Sequence, residues 1–107
     1  MNDKEESMEK MEVLTRDEVL NAALAIEARQ AGTYGKAERS FETIADLWNG
    51  YLSSVFGFGI ALTPSDIAVM MALMKVARIS SGVYHADNFV DAANYLALAS
   101  EVYAGEK

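Results

Sequence analysis

One segment constrains the fold more than any other. Thr63-Pro64-Ser65-Asp66 leads into Ile67-Ala68-Val69-Met70-Met71-Ala72-Leu73-Met74-Lys75-Val76-Ala77. Threonine at the N-cap, proline at the first helical position and a carboxylate two residues further on are the start signals of a helix. The run from Ile67 to Ala77 is apolar on nearly every side, with Lys75 the only interruption. A helix without a polar face needs cover all round, so it belongs in the middle of a bundle or between subunits.

The other helices are read around this one. Thr15 and Glu18 have the spacing of a capping box and open a first helix that reaches to about Gln30. Its apolar face is Val19, Ala23 and Ile26, flanked by Leu20 and Leu24. Gly32 and Gly35 bracket a turn. A second helix is expected from about Ala37 to Ser53, where Phe41, Ile44, Ala45, Trp48, Tyr51, Leu52 and Val55 recur at three- and four-residue steps. Its other side carries Glu38, Arg39, Thr43, Asp46 and Asn49. Phe56-Gly57-Phe58-Gly59-Ile60 forms an apolar loop, Ser80-Ser81-Gly82 ends the third helix, and a fourth runs from near Asp87 to Gly105. Trp48, Tyr51, Met70, Met71 and Met74 are read as core.

The expected fold is therefore all-α, a small four-helix bundle. Residues 1–12 are a flexible acidic lead-in and residues 13–107 a single helical domain, since 107 residues rarely build two cores. An apolar central helix and an exposed Phe-Gly-Phe-Gly-Ile loop are more hydrophobic surface than so short a chain covers alone. A homo-oligomer is expected.

Composition removes several function classes. Nine Lys and Arg against sixteen Asp and Glu leave a net charge of −7, which argues against general nucleic-acid binding. The absence of cysteine excludes disulfides, zinc ribbons and thiol catalysis, and a single histidine argues against most zinc sites and a Ser-His-Asp triad. No apolar run is long enough to span a bilayer, and MNDKEESMEK has no apolar core of the signal-peptide kind. The expectation is a soluble protein of the cytoplasm, with no membrane partner.

The chemistry-bearing residues fall into two groups. Glu38 and Glu42 share a helix face four residues apart, and Asp87 and Asp91 repeat that spacing. Facing each other, the pairs could hold Mg²⁺ through oxygen ligands; on a solvated face they need no ion at all. Lys75 and Arg78 lie about 60° apart on the third helix. The turn after them would return Asp87 and Asp91 beside them, either as interhelical salt bridges or as a phosphate clamp held in place by the acids. Arg29, Tyr34, His85 and Tyr95 could line the same region.

Several stretches resemble a small phage and prophage family of uncharacterised domains. They are Arg29 with Tyr34-Gly35; Phe41 with Ile44-Ala45-x-Leu47-Trp48-x-x-Tyr51-Leu52; Leu62-Thr63-Pro64-x-Asp66-Ile67-Ala68-x-Met70-Met71; Lys75-Val76-Ala77-Arg78; and Asp87-Asn88-x-x-Asp91-x-Ala93-x-Tyr95. More distantly the layout is similar to all-α nucleoside triphosphate pyrophosphohydrolases of the MazG type. That resemblance implies Glu38, Glu42, Asp87 and Asp91 as Mg²⁺ ligands, with Lys75 and Arg78 on phosphate. Those enzymes space their acids three apart, whereas both pairs here are four apart, and Ser40 stands where asparagine is usual. The expected function is a phage-encoded nucleotide-binding protein acting in the infected host, sequestering a small, cyclic or signalling nucleotide to counter host defence. The alternative is a Mg²⁺-dependent pyrophosphohydrolase.

Overall fold

The computed structural model describes residues 13–29 and 34–106, with the backbone alone at 27–29 and 34–36. The expected lead-in, residues 1–12, lies outside the described residues, as do Gly32 and Thr33 of the expected turn. Among the described residues there are four helices and no strand: α1 (Arg16–Arg29), α2 (Tyr34–Phe56), α3 (Pro64–Ile79) and α4 (Ala86–Gly105).

The caps form where the sequence puts them. Glu18 N–H donates to Thr15 Oγ1 at 3.2 Å, and Thr15 N–H donates to Glu18 Oε1 at 3.0 Å. At α3, Thr63 N–H donates to Asp66 Oδ2 (2.9 Å), and Asp66 N–H to Thr63 Oγ1 (3.3 Å). Between α2 and α3 the chain is held by side-chain amides and hydroxyls. Asn49 brackets Leu62, donating to its carbonyl at 3.0 Å and accepting from its N–H at 2.8 Å, and Ser53 Oγ accepts from Ile60 N–H. Gly57 and Gly82 take positive φ values (76° and 90°), which glycine adopts without strain.

α3 and α4 form an antiparallel hairpin, the most extensive packing in the fold. α1 lies along α4, and α2 crosses α3. The core is Phe41 and Ala45 of α2, Ile67 and Ala68 of α3, and Ala99 and Val102 of α4, with Met70, Met71, Tyr95 and Leu98 packed against it. Two buried polar residues belong to this framework. Ser65 donates its N–H and hydroxyl to the two carboxylate oxygens of Glu106, tying the end of α4 to the start of α3 at 2.9 and 2.8 Å. Asn88 sits at the hairpin's other end.

Three sequence expectations are corrected. Tyr34 and Gly35 are the first residues of α2, not part of a turn, and α2 runs through Gly50 to Phe56, where Gly57 at a φ of 76° ends it. Trp48 (37% exposed) and Tyr51 (68%) are not core, and neither is Met74, because the fold measures 57 × 32 × 18 Å, about two helix layers deep. α3 is apolar all round yet covered on one side only: Val69, Leu73, Met74 and Val76 are exposed.

Cap and core contribute on different scales. Thr63→Ala removes the cap's acceptor and lowers stability by about 1 kcal/mol, whereas Ile67→Ala, emptying the one fully buried large side chain, costs about 2–5 kcal/mol, both read by urea denaturation. The Thr15 backbone and hydroxyl hydrogen bonds hold Glu18 below its ordinary pKa of 4.5. A lowered folded pKa contributes stability above the unfolded value and loses it as pH falls through the folded one, so the start of α1 loosens only in acid below about pH 4.5. The amide resonances of residues 15–18 should report that change, and Glu18→Gln should abolish it.

Candidate functional site

The turn end of the α3–α4 hairpin carries the chemistry. Lys75 and Arg78 leave one face of α3 a turn apart, and the chain reverses through Ser80, Ser81 and Gly82. It enters α4 at His85, whose extended backbone (φ −134°, ψ 117°) starts the helix without a side-chain cap. The first two turns of α4 then present Asp87, Asn88 and Asp91. Together Lys75, Arg78, Ser81, His85, Asp87, Asn88 and Asp91 line a hollow of about 400 Å³.

One ion pair crosses it. Lys75 Nζ lies 3.0 Å from Asp91 Oδ2, with the two side chains 13% and 34% exposed. Most of the ammonium is out of water, so its partner satisfies a charge that would otherwise be stranded. Arg78 is exposed and, among the described residues, has no carboxylate within salt-bridge distance. Its planar fork therefore opens on the hollow, beside the amide-rich N-terminus of α4 where the helix dipole favours an anion. The interhelical staple expected from the sequence is thus half present. Lys75 is tied down and Arg78 is not.

Asn88 is a residue that the sequence pattern did not single out. It is only 6% exposed, and the little surface it keeps belongs to the hollow it lines. A signal for it existed: Asn88 falls on the same face as Ala92, Tyr95, Ala99 and Val102, at steps of four, three, four and three. A carboxamide on an apolar stripe calls for a partner.

The remaining candidates separate. Tyr95 faces a neighbouring hollow of about 300 Å³ with Ser40, Phe41, Asn94 and Leu98, its ring 6.4 Å from that of Phe41. Asp91 forms part of both walls, so the hollows adjoin. Glu38 and Glu42 line neither. As a set, Glu38, Glu42, Asp87 and Asp91 do not fit one divalent ion, because among the described residues no three His, Asp or Glu side chains come together. The side chains of Arg29 and Tyr34 lie outside the described residues.

The ion pair is testable by a mutant cycle. Asp91→Asn should lower stability by about 1–3 kcal/mol by stranding Lys75, and Lys75→Met in the same chain should recover most of it. Strictly additive losses would show that the two side chains are not coupled.

Comparison with known proteins places the chain in context. Residues 18–103 match the family described as Domain of unknown function (DUF6378). The Gene 55 protein of Mycobacterium phage L5 is 36% identical over 92 residues, which are 86% of this chain and 52% of that protein. The Gene 55 protein of Mycobacterium phage D29 is 36% identical over 70 residues, 65% of this chain and 42% of that protein. The chain thus spans about half the length of the curated relatives it matches. No solved structure matches. Among the described residues, no helix is long and apolar enough to cross a membrane.

Proposed function

The chain belongs to the DUF6378 family, with relatives in mycobacteriophages, and from that premise we propose that it binds a small phosphorylated ligand, a nucleotide, at the turn end of the α3–α4 hairpin. The observation that carries this reading is the convergence of Arg78, which has no ion-pair partner among the described residues, with His85 and Asn88 on one hollow of about 400 Å³, in a chain whose net charge is −7. An acidic protein binds an anion only where its cations are gathered locally.

The parts have distinct roles in the proposal. Arg78 grips phosphate oxygens with paired N–H groups, and the uncapped first turn of α4 adds its dipole. Asp91 keeps Lys75 poised over the hollow and releases it toward the phosphate when the ligand arrives. Asn88 reads a polar edge of the ligand. The adjoining hollow, walled by Phe41, Tyr95, Asn94 and Ser40, takes the base or sugar, since an aromatic wall with a few amide and hydroxyl groups suits a flat, polar ring. A MazG-type hydrolysis would place all four carboxylates on one ion, and Glu38 and Glu42 stand apart from Asp87 and Asp91. Binding without turnover is what remains, and a phage protein that does so withdraws its ligand from the host, as sequestering a signalling nucleotide requires.

A panel of linear and cyclic nucleotides, each tested by thermal shift in Mg²⁺ and in EDTA, addresses the proposal. The expected result is stabilisation in EDTA with the ligand recovered intact, reaching about 2.7 kcal/mol at a ligand concentration near 100 times Kd. Arg78→Ala should weaken binding roughly 10- to 100-fold. Stabilisation confined to Mg²⁺ with release of pyrophosphate would replace sequestration by hydrolysis. No shift from any nucleotide, or unchanged affinity in Arg78→Ala, would overturn the reading.

A further inference from the structure

The face of the hairpin turned away from α2 is apolar and largely exposed, with the Phe89 ring stacked on Tyr84 at 5.4 Å. On α3, Val69, Leu73 and Val76 succeed one another at steps of four and three. On α4, Phe89, Leu96 and Tyr103 recur every seven residues. These are the spacings of a coiled-coil seam. By helical rotation the α3 stripe lies about 160° from the midpoint of Ile67 and Ala68, which meet α2 in the core. All six side chains are exposed, from 36% to 59%. Between the two ridges runs a groove of about 610 Å³, lined by Val69, Leu96, Ala99 and Ser100 and closed at one end by Tyr103.

We propose that this face is the interface of a homodimer, in which the α3–α4 hairpin of a second copy packs across it about a two-fold axis to complete a four-helix bundle. Three features favour a copy of the same chain. The first is area. At roughly 100 Å² of exposed surface apiece, the six side chains offer on the order of 600 Å² of apolar surface. A standard interface of about 800 Å² per partner, about 65% non-polar in homodimers, needs about 520 Å². The second is charge. Each copy carries −7, which opposes association unless the contact is made mainly by uncharged side chains. None of the six ridge residues is charged, and the acids at the groove's end are already engaged, Asp66 by Thr63 and Glu106 by Ser65. The third is symmetry. Two antiparallel helices supply half of a four-helix bundle, and a two-fold axis supplies the rest with an isologous contact. α3, apolar all round, then has cover on both sides.

The interface does not share residues with the hollow at Arg78, so the two proposals stand or fall separately. Mass measurement by light scattering on the purified full chain, without ligand, should give twice the 11.7 kDa of one chain. Leu73→Glu and Leu96→Glu replace exposed residues and should halve that mass while circular dichroism keeps its helical signal. Arg78→Ala should leave the dimer intact. Because the chain has no cysteine, Leu73→Cys and Leu96→Cys each introduce a single thiol, and at least one should form a disulfide-linked dimer on mild oxidation where Thr43→Cys does not. A wild-type monomer at about 100 µM would overturn the proposal, an affinity weaker than that leaving too little binding energy for a built interface. So would a dimer that survives both glutamate variants but dissociates on Tyr51→Glu, which would place the contact on α2.

Discussion

The close approach of α3 and α4 governs this structure. Their seam is built largely from small residues, Ala68 and Ala72 on one side and Ala92 and Ala99 on the other, with Ile67 and Val102 the larger members. Side-chain size at a contact sets the distance between helix axes, so alanines draw the two helices together and leave little volume between them. The bulky residues have to go elsewhere. Phe41 and Tyr95 fill the side facing α2, and the rest are pushed outward, onto the exposed face of the hairpin and the far end of α2. A tight seam and an apolar exterior are two consequences of one packing choice.

The same hairpin explains the charged hollow. Antiparallel helices so closely apposed bring the second-last turn of α3 opposite the second turn of α4, so Lys75 meets Asp91 with most of its ammonium out of water. Arg78, one turn on, shares the hollow with Asp87 and Asn88 and makes no ion pair among the described residues. Two cations, Lys75 and Arg78, stand against two carboxylates, Asp87 and Asp91, so the hollow is balanced in charge where the whole chain is acidic. Coulomb attraction between the paired groups holds the walls in place, while the unpaired guanidinium is left for whatever enters.

How legible all this was depends on the range of the interaction concerned. The capping boxes at Thr15 and Thr63 and the periodicity of α1, α3 and α4 were readable because each depends on residues within four positions of one another. Lys75 and Arg78 were placed beside Asp87 and Asp91 correctly, since a short turn leaves two helices few ways to return. Tyr34 and Gly35 were misread because glycine signals a turn only when nothing downstream stabilises the helix, and α2 is long enough to carry them. Asn49 was assigned to a solvated face, yet it brackets Leu62 across a thirteen-residue separation that no local pattern announces. Glu38 and Glu42 share a face as their spacing requires, but that face lines neither hollow.

Local sequence is enough to set the helices, the start and stop of three of the four, and the acidic balance of the chain. The first two rest on hydrogen bonds, caps and dipoles that act over one or two turns. Which apolar stripe became core, which stayed outside and which cation kept a partner emerged only when the helices packed. An apolar residue at helical spacing states that a face wants cover without saying which neighbour supplies it. That choice is made by the fit of whole surfaces, and here the small-residue seam of α3 and α4 took precedence over the larger side chains of α2.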